Sequence, residues 1–409
     1  MNNSPITGKD RIMTIDIIRG FALFGIFLVN MPAFHSPIFM KSRYGQGMEY
    51  SGVDYWLDVL FALFVEMKFF TIFSFLFGLG FYIFMNRAEE KGLKCKALYL
   101  RRIFALLLFG LIHVVALWFG DILHTYAIAG VFLLFFYNRK LKTILIWAFS
   151  LLVVLNLLFA LNLFIPREII TEMEESTAGG FAGSLEKYVE VYQQAGYLEW
   201  VSYRLGTEVG FVAVNLIPAS IPVFAMFLCG LAAGKAGLFH HVSSHLAFIK
   251  RIRLITLLIS IPLIAVLALL KMDILDFGVK QLYAVQLFKS LTGTSLCFLY
   301  IMLQKETWQK RLRSLGYAGQ MALTNYLMQT IVSIVFFVGL GFYGNVSLLT
   351  GSILCILIFA LQMLYSTYWL KHYRFGPFEW LWRSITYMRF QQLKQPEEVP
   401  LNQNQNTPI

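Results

Sequence analysis

Two charged residues lie near the start of the first apolar segment, where lipid hydrocarbon would disfavour them. Asp16 and Arg19 are three residues apart, so in a helix both side chains lie on one face. A charge at the centre of a bilayer costs about 2.5 to 3.5 kcal/mol on insertion scales, and such residues usually face a polar interior that serves a function. The pair therefore predicts a functional site or, in the plainer interpretation, a structural ion pair that joins helices.

A second polar cluster falls on the tight turn between the third and fourth apolar segments. Asp121 and His124 are also three residues apart, and His113 lies in the outer half of the preceding segment. A carboxylate beside an imidazole orients the ring and raises its basicity, which suits a general base. The alternative is an aspartate that caps the next helix and bonds a histidine.

Two more polar residues extend the first site along its helix. Asn30 follows Arg19 by eleven residues, or about three turns, so both lie on one face with an axial separation of roughly 16 Å. Pro32 cannot continue the hydrogen bonding of a helix, so we expect the helix to end there and to leave His35 in the outer mouth. Taken alone, His35 would be an exposed loop histidine.

The second and ninth apolar segments also contain polar residues. Glu66, Lys68 and Ser74 interrupt the second, which is too long for one straight span. We expect a break near Glu66, because irregular backbone at membrane depth is tolerated only inside protein or facing a water-filled cavity. In the ninth segment, Asn325 and Gln329 begin a polar stripe that either binds a ligand or joins helices.

The composition indicates an integral membrane protein. Apolar residues make up 58% of the chain and charged residues 14%, against about 25% charged residues in soluble domains. Runs of roughly 17 to 25 apolar residues, enough to cross a bilayer, recur along the chain. We therefore predict an all-α polytopic protein of the plasma membrane with ten transmembrane helices, at about 14–33, 60–85, 102–119, 121–137, 142–165, 208–234, 252–270, 281–303, 315–340 and 346–370.

The distribution of Lys and Arg predicts the orientation. Most of the 34 basic residues fall in the connections on one side, so the positive-inside rule places both termini in the cytoplasm. The net charge of +11 is thus a topology signal and does not indicate binding to nucleic acid. The expected organisation is a single membrane domain, 1–390, with an extracytoplasmic segment, 166–206, an interfacial amphipathic helix, 375–389, and a disordered cytoplasmic tail, 391–409.

Several kinds of site lack support in the sequence. The four cysteines are far apart and fall in membrane or cytoplasmic positions, which argues against a disulfide framework or a thiolate metal site. There is no phosphate-binding GxxxxGK[ST], no HExxH and no paired CxxC. We expect no metal and no cleaved targeting segment, because Asp16 and Arg19 interrupt the first apolar run.

The segment Asp16-Ile-Ile-Arg19-Gly20, followed by Asn30, resembles the YeiB-like membrane protein family, within the broader superfamily of transmembrane acyltransferases. The resemblance covers nearly the whole chain. It includes Arg11 to Asn30, Lys68 to Gly78, Gly120 to His124, Gly319 to Gln329 and Phe375 to Ser384. The YeiB-like family has also carried a transport label, so the resemblance is specific for the family and weaker for a reaction.

More distant relatives imply a mechanism. Heparan-alpha-glucosaminide N-acetyltransferase and the O-acetylating acyltransferases look similar at Asp16-x-x-Arg19-Gly20, with acyl-CoA bound from the cytoplasm and a histidine as base. The O-acetylating group has histidine where this chain has Asn30. The heparan enzyme instead has asparagine there and a later histidine, which His35 matches at a shorter spacing.

Together these observations predict a membrane acyltransferase, with a small-solute transporter or channel as the alternative and a non-catalytic membrane scaffold as a third class. The expected donor is acyl-CoA, with acetyl-CoA as the first choice, and the acceptor is a glycan, an envelope component or another small molecule. The sequence is also compatible with a homodimer. Candidate catalytic residues are His35, His124, Asp121 and Asn30, and of these Asn30 would bond the acyl carbonyl. Candidate donor-binding residues are Asp16, Arg19, Lys68, Ser74, Asn325 and Gln329.

Overall fold

The computed structural model of the protein describes residues 12–239, 242–303 and 310–395. Within these ranges the chain is helical, and its β-structure is limited to one isolated bridge. In chain order the helices are α1 (Met13–His35), α2 (Ile38–Arg43), α3 (Gly52–Phe64), α4 (Phe69–Glu90), α5 (Cys95–Ala116), α6 (Leu123–Phe132), α7 (Leu141–Leu161), α8 (Arg167–Gln194), α9 (Tyr197–Arg204), α10 (Gly210–Lys235), α11 (Leu246–Lys271), α12 (Gln281–Met302), α13 (Arg313–Gln320), α14 (Ala322–Ile334), α15 (Leu348–His372) and α16 (Pro377–Tyr387).

Nine helical stretches of the described ranges are long and apolar enough to cross a membrane. They are Met13–His35, Gly52–Glu90, Cys95–Ala116, Leu141–Phe164, Tyr197–Lys235, Leu246–Lys271, Gly278–Met302, Ala322–Gly339 and Leu348–His372. The prediction of an all-α, multi-pass membrane protein is therefore confirmed. In the core, α1 packs against α4, α13, α14 and α15, and α10 packs against α4, α6 and α7.

The expected fourth span, 121–137, is shorter than the others. Its α-helix, α6, has ten residues and continues as a 3₁₀ turn over Leu133–Phe135. Ten residues cover about 15 Å, or half of a hydrocarbon core of about 30 Å. The chain before α6 is irregular, and Trp118 and Asp121 of that segment are buried. Irregular backbone is tolerated there because the protein encloses it.

The expected break near Glu66 is present between α3 and α4. Met67 adopts a left-handed backbone conformation with φ of 63°. The Lys68 ammonium is fully buried and donates to the Ala62 carbonyl at 2.6 Å, which satisfies an acceptor at the end of α3. Glu66 forms an ion pair with Lys289 of α12. The intramembrane charges at this break thus have partners.

The expectation that Pro32 ends the first helix is wrong. Helix α1 continues through Pro32 to His35, and the Ser36 amide donates to the Pro32 carbonyl at 3.0 Å. Proline removes one intrahelical donor, and here neighbouring helices hold the backbone in place. His35 is consequently not in an open mouth: 1% of its surface is exposed.

The expected span 315–340 is divided into two helices. Helix α13 ends at Gln320 and α14 begins at Ala322, so the chain bends at Met321. Glu379 of α16 accepts hydrogen bonds from the amides of Leu323 and Thr324 at 2.7 and 3.1 Å. A side chain distant in sequence therefore caps the start of α14. No local sequence pattern around Met321 predicts this helix start.

Helices α8 and α9 lie in the segment that we expect outside the membrane. They are joined to the bundle by a buried cluster in which Tyr188 donates to Glu208 at 2.5 Å and Arg204 pairs with Glu208 at 2.6 Å. Arg204 also donates to the carbonyl of Val114, near the end of α5, at 3.1 Å. The side of the membrane on which α8 lies stays a prediction.

The C-terminal segment begins with ordered residues. The amide of Arg374 donates to the Leu393 carbonyl at 2.8 Å, and that of Gln395 to the His372 carbonyl at 3.0 Å. Leu393 and Gln395, which fall in the expected disordered tail, 391–409, thus bond residues at or just after the end of α15. The rest of that tail, 396–409, lies outside the described residues.

Candidate functional site

A cavity of about 280 Å³ lies between helices α1, α4, α5, α6, α13, α14 and α16. On α1 its wall is formed by Asp16, Arg19, Leu23 and Ile26, a spacing that keeps all four on one helix face. Asn30 is the next residue along this face and is half-buried, but it is not among the described residues that line the cavity.

One end of the cavity is strongly basic. We call its four arginines, Arg19, Arg87, Arg102 and Arg383, the arginine rim. Arg19 pairs with Asp16 at 2.8 Å, and its side chain is 27% exposed, whereas that of Asp16 is 4% exposed. Arg102 lies 3.7 Å above the ring of Trp382 in α16. The four arginines outnumber the two carboxylates at this end, Asp16 and Glu379. The excess of positive charge favours the binding of anions.

The other end of the cavity is apolar and enclosed. Its wall includes Ile122, Leu123, Tyr126 and Tyr326, of which Tyr126 is 1% and Tyr326 5% exposed. Between the two ends, the wall is made largely of aromatic and aliphatic side chains of α1, α4 and α5. The cavity is therefore lined by arginines at one end and by apolar and aromatic side chains over the rest of its wall.

The histidine–aspartate cluster lies directly behind this enclosed end. It consists of His113, Asp121 and His124, all buried. Asp121 Oδ2 lies 2.6 Å from His124 Nδ1 and accepts from the His124 backbone amide at 2.9 Å. Asp121 Oδ1 lies 3.0 Å from His113 Nδ1, a charge contact without aligned hydrogen-bond geometry. One carboxylate thus faces the Nδ1 atoms of two imidazoles.

Close helix packing produces this arrangement. Gly110 on α5 faces the start of α6 so closely that a Cβ at this position would lie 2.3 Å from the His124 amide nitrogen. Tyr326 of α14 separates the cluster from the cavity: its ring centroid is 5.2 Å from that of His113, and its hydroxyl accepts from the Ile122 amide at 3.4 Å. Movement of Tyr326 would connect the cavity with the histidines.

The comparisons with known proteins identify the family. A family model described as "Protein of unknown function (DUF418)" matches residues 233–389. The chain is 36% identical to the uncharacterized protein YxaH of Bacillus subtilis, over 97% of this chain and 99% of YxaH. It is 27% identical to the uncharacterized protein YeiB of Escherichia coli, over 92% and 96% of the two chains. The chain belongs to the YeiB-like DUF418 family. No solved structure matches it.

Membership of the DUF418 family and the nine apolar helical stretches make this a multi-pass protein of the plasma membrane. A further relative, an uncharacterized 39.9 kDa protein of Bacillus acidopullulyticus, is 29% identical over 94% of this chain and 96% of its own. These names assign no reaction, so the chemistry of this DUF418 protein rests on its own side chains.

Asp16, Arg19, Asp121 and His124 are brought to the cavity or to its enclosed end, while other expected site residues of this DUF418 protein lie elsewhere. Ser74 bonds the hydroxyl of Tyr126 at 2.7 Å, so it supports a cavity wall residue. Asn325 donates to Ser366 of α15 at 3.0 Å, and Gln329 donates to Gln362 at 2.9 Å. This polar ladder joins α14 to α15, and Lys68 closes the break after α3. Their donor-binding roles stay predictions.

His35 occupies a separate buried position. Its ring is 5.5 Å from that of Phe337, and a Cβ on Gly351 would lie 2.6 Å from its Nε2 atom. Neither ring nitrogen has a hydrogen-bond partner. The described lining of the cavity does not include His35. Its role as a base stays a prediction, and the structure places His124 nearer the cavity.

Several residues at the site were missed in the sequence. The sequence indicates only that His113 lies in the outer half of its span, and it shows Glu379, Trp382 and Arg383, which line the cavity, only as parts of an interfacial helix. Helical periodicity indicates which residues share a face, but it does not identify the helix that this face meets. The sequence signal for the basic end of the cavity is the presence of basic residues on and near the amphipathic helix 375–389.

Proposed function

We propose that this protein is a membrane acyltransferase that takes an acyl group from cytoplasmic acyl-CoA and transfers it to a hydroxyl or amine of a glycan, an envelope component or another small acceptor. The observation that carries the proposal is the cavity, which joins the arginine rim at one end to the wall in front of the histidine–aspartate cluster at the other. This order of groups matches the order in acyl-CoA, from phosphates to thioester.

The dimensions of the cavity support a slender donor. Pockets for whole small molecules have volumes of roughly 300 to 1,000 Å³, and this cavity has about 280 Å³. It therefore suits the pantetheine arm and the acyl group, while the nucleotide stays at the rim. Arginine binds phosphate through a planar, permanently charged fork, so four arginines supply suitable partners there.

The histidine–aspartate cluster supplies the base. A proton on His124 Nδ1 is held towards Asp121 at 2.6 Å, which leaves Nε2 as the basic nitrogen. In the proposed reaction His124 Nε2 takes the proton of the acceptor while the acceptor attacks the carbonyl of the acyl group. Asn30, one turn beyond Ile26 on α1, is the proposed hydrogen-bond donor to the acyl carbonyl.

The test measures release of CoA thiol from acetyl-CoA by purified protein with candidate acceptors. Arg102→Gln removes a rim charge, and Arg101→Gln is the matched control because Arg101 is the adjacent, exposed residue of α5. A charge-assisted contact contributes about 1.5 to 3 kcal/mol, so Arg102→Gln should weaken acetyl-CoA binding about 10- to 100-fold and Arg101→Gln should not.

The same assay separates the two candidate bases. His124→Ala should reduce turnover by about 10²- to 10⁴-fold with little change in donor affinity, because a general base acts in the transition state. His35→Ala should change turnover far less. If wild-type protein releases no CoA from any acyl donor but moves a solute into proteoliposomes, the cavity belongs to a transport pathway and the acyltransferase proposal is wrong.

A further inference from the structure

The hydroxyl of Thr330 in α14 contacts a histidine of the histidine–aspartate cluster. Thr330 is 1% exposed, and its Oγ1 lies 3.0 Å from His113 Nε2. Two other buried threonines, Thr256 and Thr292, donate instead to the carbonyls of Ile252 and Phe288, each four residues earlier in its own helix. Such bonding to the preceding turn is the usual choice for a threonine inside a helix.

The protonation of His113 follows from its two neighbours. Asp121 Oδ1 lies 3.0 Å from His113 Nδ1, and although the two atoms are not aligned for a hydrogen bond, the negative charge favours a proton on that nitrogen. His113 Nε2 then carries a lone pair and accepts the hydrogen of the Thr330 hydroxyl. Hydroxyl, imidazole and carboxylate stand in the order that activates the nucleophile of serine enzymes with a Ser-His-Asp triad.

Thr330 is also close to the enclosed end of the cavity. It follows Tyr326, a lining residue, by four positions, which places it about 6 Å further along the same face of α14. Tyr326 packs against the ring of His113. Rotation of this one side chain would therefore expose both Thr330 and His113 to a thioester held in the cavity.

We propose that Thr330, His113 and Asp121 form a nucleophilic triad and that the acyl group is held as an ester on Thr330 between two half-reactions. This inference rests on the proposed acyltransferase function. In the first half-reaction, Thr330 Oγ1 attacks the thioester carbonyl and His113 Nε2 takes the hydroxyl proton. The carbon–sulfur bond breaks, and the proton passes to the leaving thiolate, which gives free CoA.

The second half-reaction restores the enzyme. The acceptor hydroxyl or amine attacks the ester carbonyl of acyl-Thr330, and its proton is taken by a histidine of the cluster. The bond between the carbonyl carbon and Thr330 Oγ1 breaks, and the proton returns to Thr330. The second imidazole of the cluster, His124, shares Asp121 with His113 and is placed to serve this step.

The experiment traps the acyl-enzyme. Purified full-length protein is incubated with radiolabelled acetyl-CoA without acceptor, denatured, and examined for label bound to the protein and for its position by peptide mass spectrometry. We expect label on Thr330 in the wild type and in Thr330→Ser, which keeps a hydroxyl. We expect none in Thr330→Val, and a decrease in turnover of at least about 100-fold.

Controls separate chemistry from folding. Thr292→Val removes the hydroxyl of a buried threonine that bonds only within its own helix, and it should keep both label and turnover. Acetyl-CoA binding reports whether Thr330→Val is folded. If the wild type transfers acetyl groups but carries no label, and Thr330→Val turns over normally, the triad is wrong while the acyltransferase remains. If no acetyl-CoA is cleaved under any condition, the proposed function itself is wrong.

Discussion

At the scale of single residues, the motif Asp16-x-x-Arg19-Gly20 has a packing explanation. A Cβ on Gly20 would lie 2.1 Å from the carbonyl oxygen of Leu315, and a Cβ on Gly319 would lie 2.0 Å from that of Asp16. The backbones of α1 and α13 therefore touch at these two glycines. This contact also brings the Gly319 carbonyl to 3.4 Å from the Arg19 guanidinium, so the glycines help to position the charge pair at the cavity.

Gly319→Ala should therefore destabilise the protein. The new methyl group meets backbone, which cannot rotate away, and overpacking of this kind costs about 1 to 3 kcal/mol. Gly210→Ala is the control, because this helical glycine of α10 has open space where a Cβ would be. The measurement is the thermal unfolding midpoint of each purified variant in detergent. Equal midpoints for the two variants would contradict close contact between α1 and α13.

At the scale of elements, α16 is part of the site. The sequence predicted an amphipathic helix over 375–389, and its apolar stripe was assigned to the membrane interface. In the structure, Glu379, Trp382, Arg383 and Tyr387 of α16 form one wall of the cavity, and the Trp382 indole donates to the Arg102 carbonyl at 2.8 Å. This helix therefore completes the wall of the cavity and also caps the start of α14.

Glu379 makes the contact between α16 and the start of α14 sensitive to pH. Burial raises the pKa of Glu379 above its usual value of 4.5, against the opposing effect of hydrogen bonds from Thr324 and Leu323. An acid with a raised pKa in the folded state contributes stability at low pH, which is lost as pH rises through the folded-state pKa. The unfolding midpoint of the wild type should thus fall as pH increases from 4.5 towards neutrality, relative to that of Glu379→Gln.

Glu379→Gln tests this directly because the amide keeps an acceptor oxygen for the two backbone donors but cannot ionise. Glu379→Ala removes the cap and should cost about 0.5 to 2 kcal/mol relative to Glu379→Gln at all pH values. If wild type and Glu379→Gln show parallel pH profiles, ionisation of Glu379 does not affect stability.

What the sequence could predict at this scale depends on the type of signal. Glu66 and Lys68 predicted the break between α3 and α4, because charged residues at membrane depth indicate that a transmembrane helix is interrupted. Met321 gave no such signal, since its bend is stabilised by Glu379, which is 58 positions later in the chain. Asp121 and His124 were paired by their spacing, whereas His113 joined them only through the packing of α5 on α6. Tertiary contacts, rather than propensity, decided these cases.

At the scale of the whole molecule, the orientation and the site depend on each other. The arginine rim lies at the end of the bundle that the excess of Lys and Arg predicts to be cytoplasmic, where acyl-CoA would be available. Positive-inside bias is counted over short loops near the ends of the spans, and the turn before α7, with Arg139, Lys140 and Lys142, is such a loop. The opposite end is covered by α8 and α9, rich in glutamate.

Single cysteines can test this orientation. In a background without the four native cysteines, Ala182→Cys on α8 and Lys140→Cys before α7 are both at exposed positions of the structure. A membrane-impermeant maleimide applied to intact cells should label position 182, and it should label position 140 only after the membrane is permeabilised. The permeabilised sample is the control for the reactivity of each cysteine. Labelling of position 140 in intact cells would show that the bundle has the opposite orientation, with the arginine rim facing outwards. Cytoplasmic acyl-CoA could then not reach the cavity, so the same experiment would also remove the proposed donor.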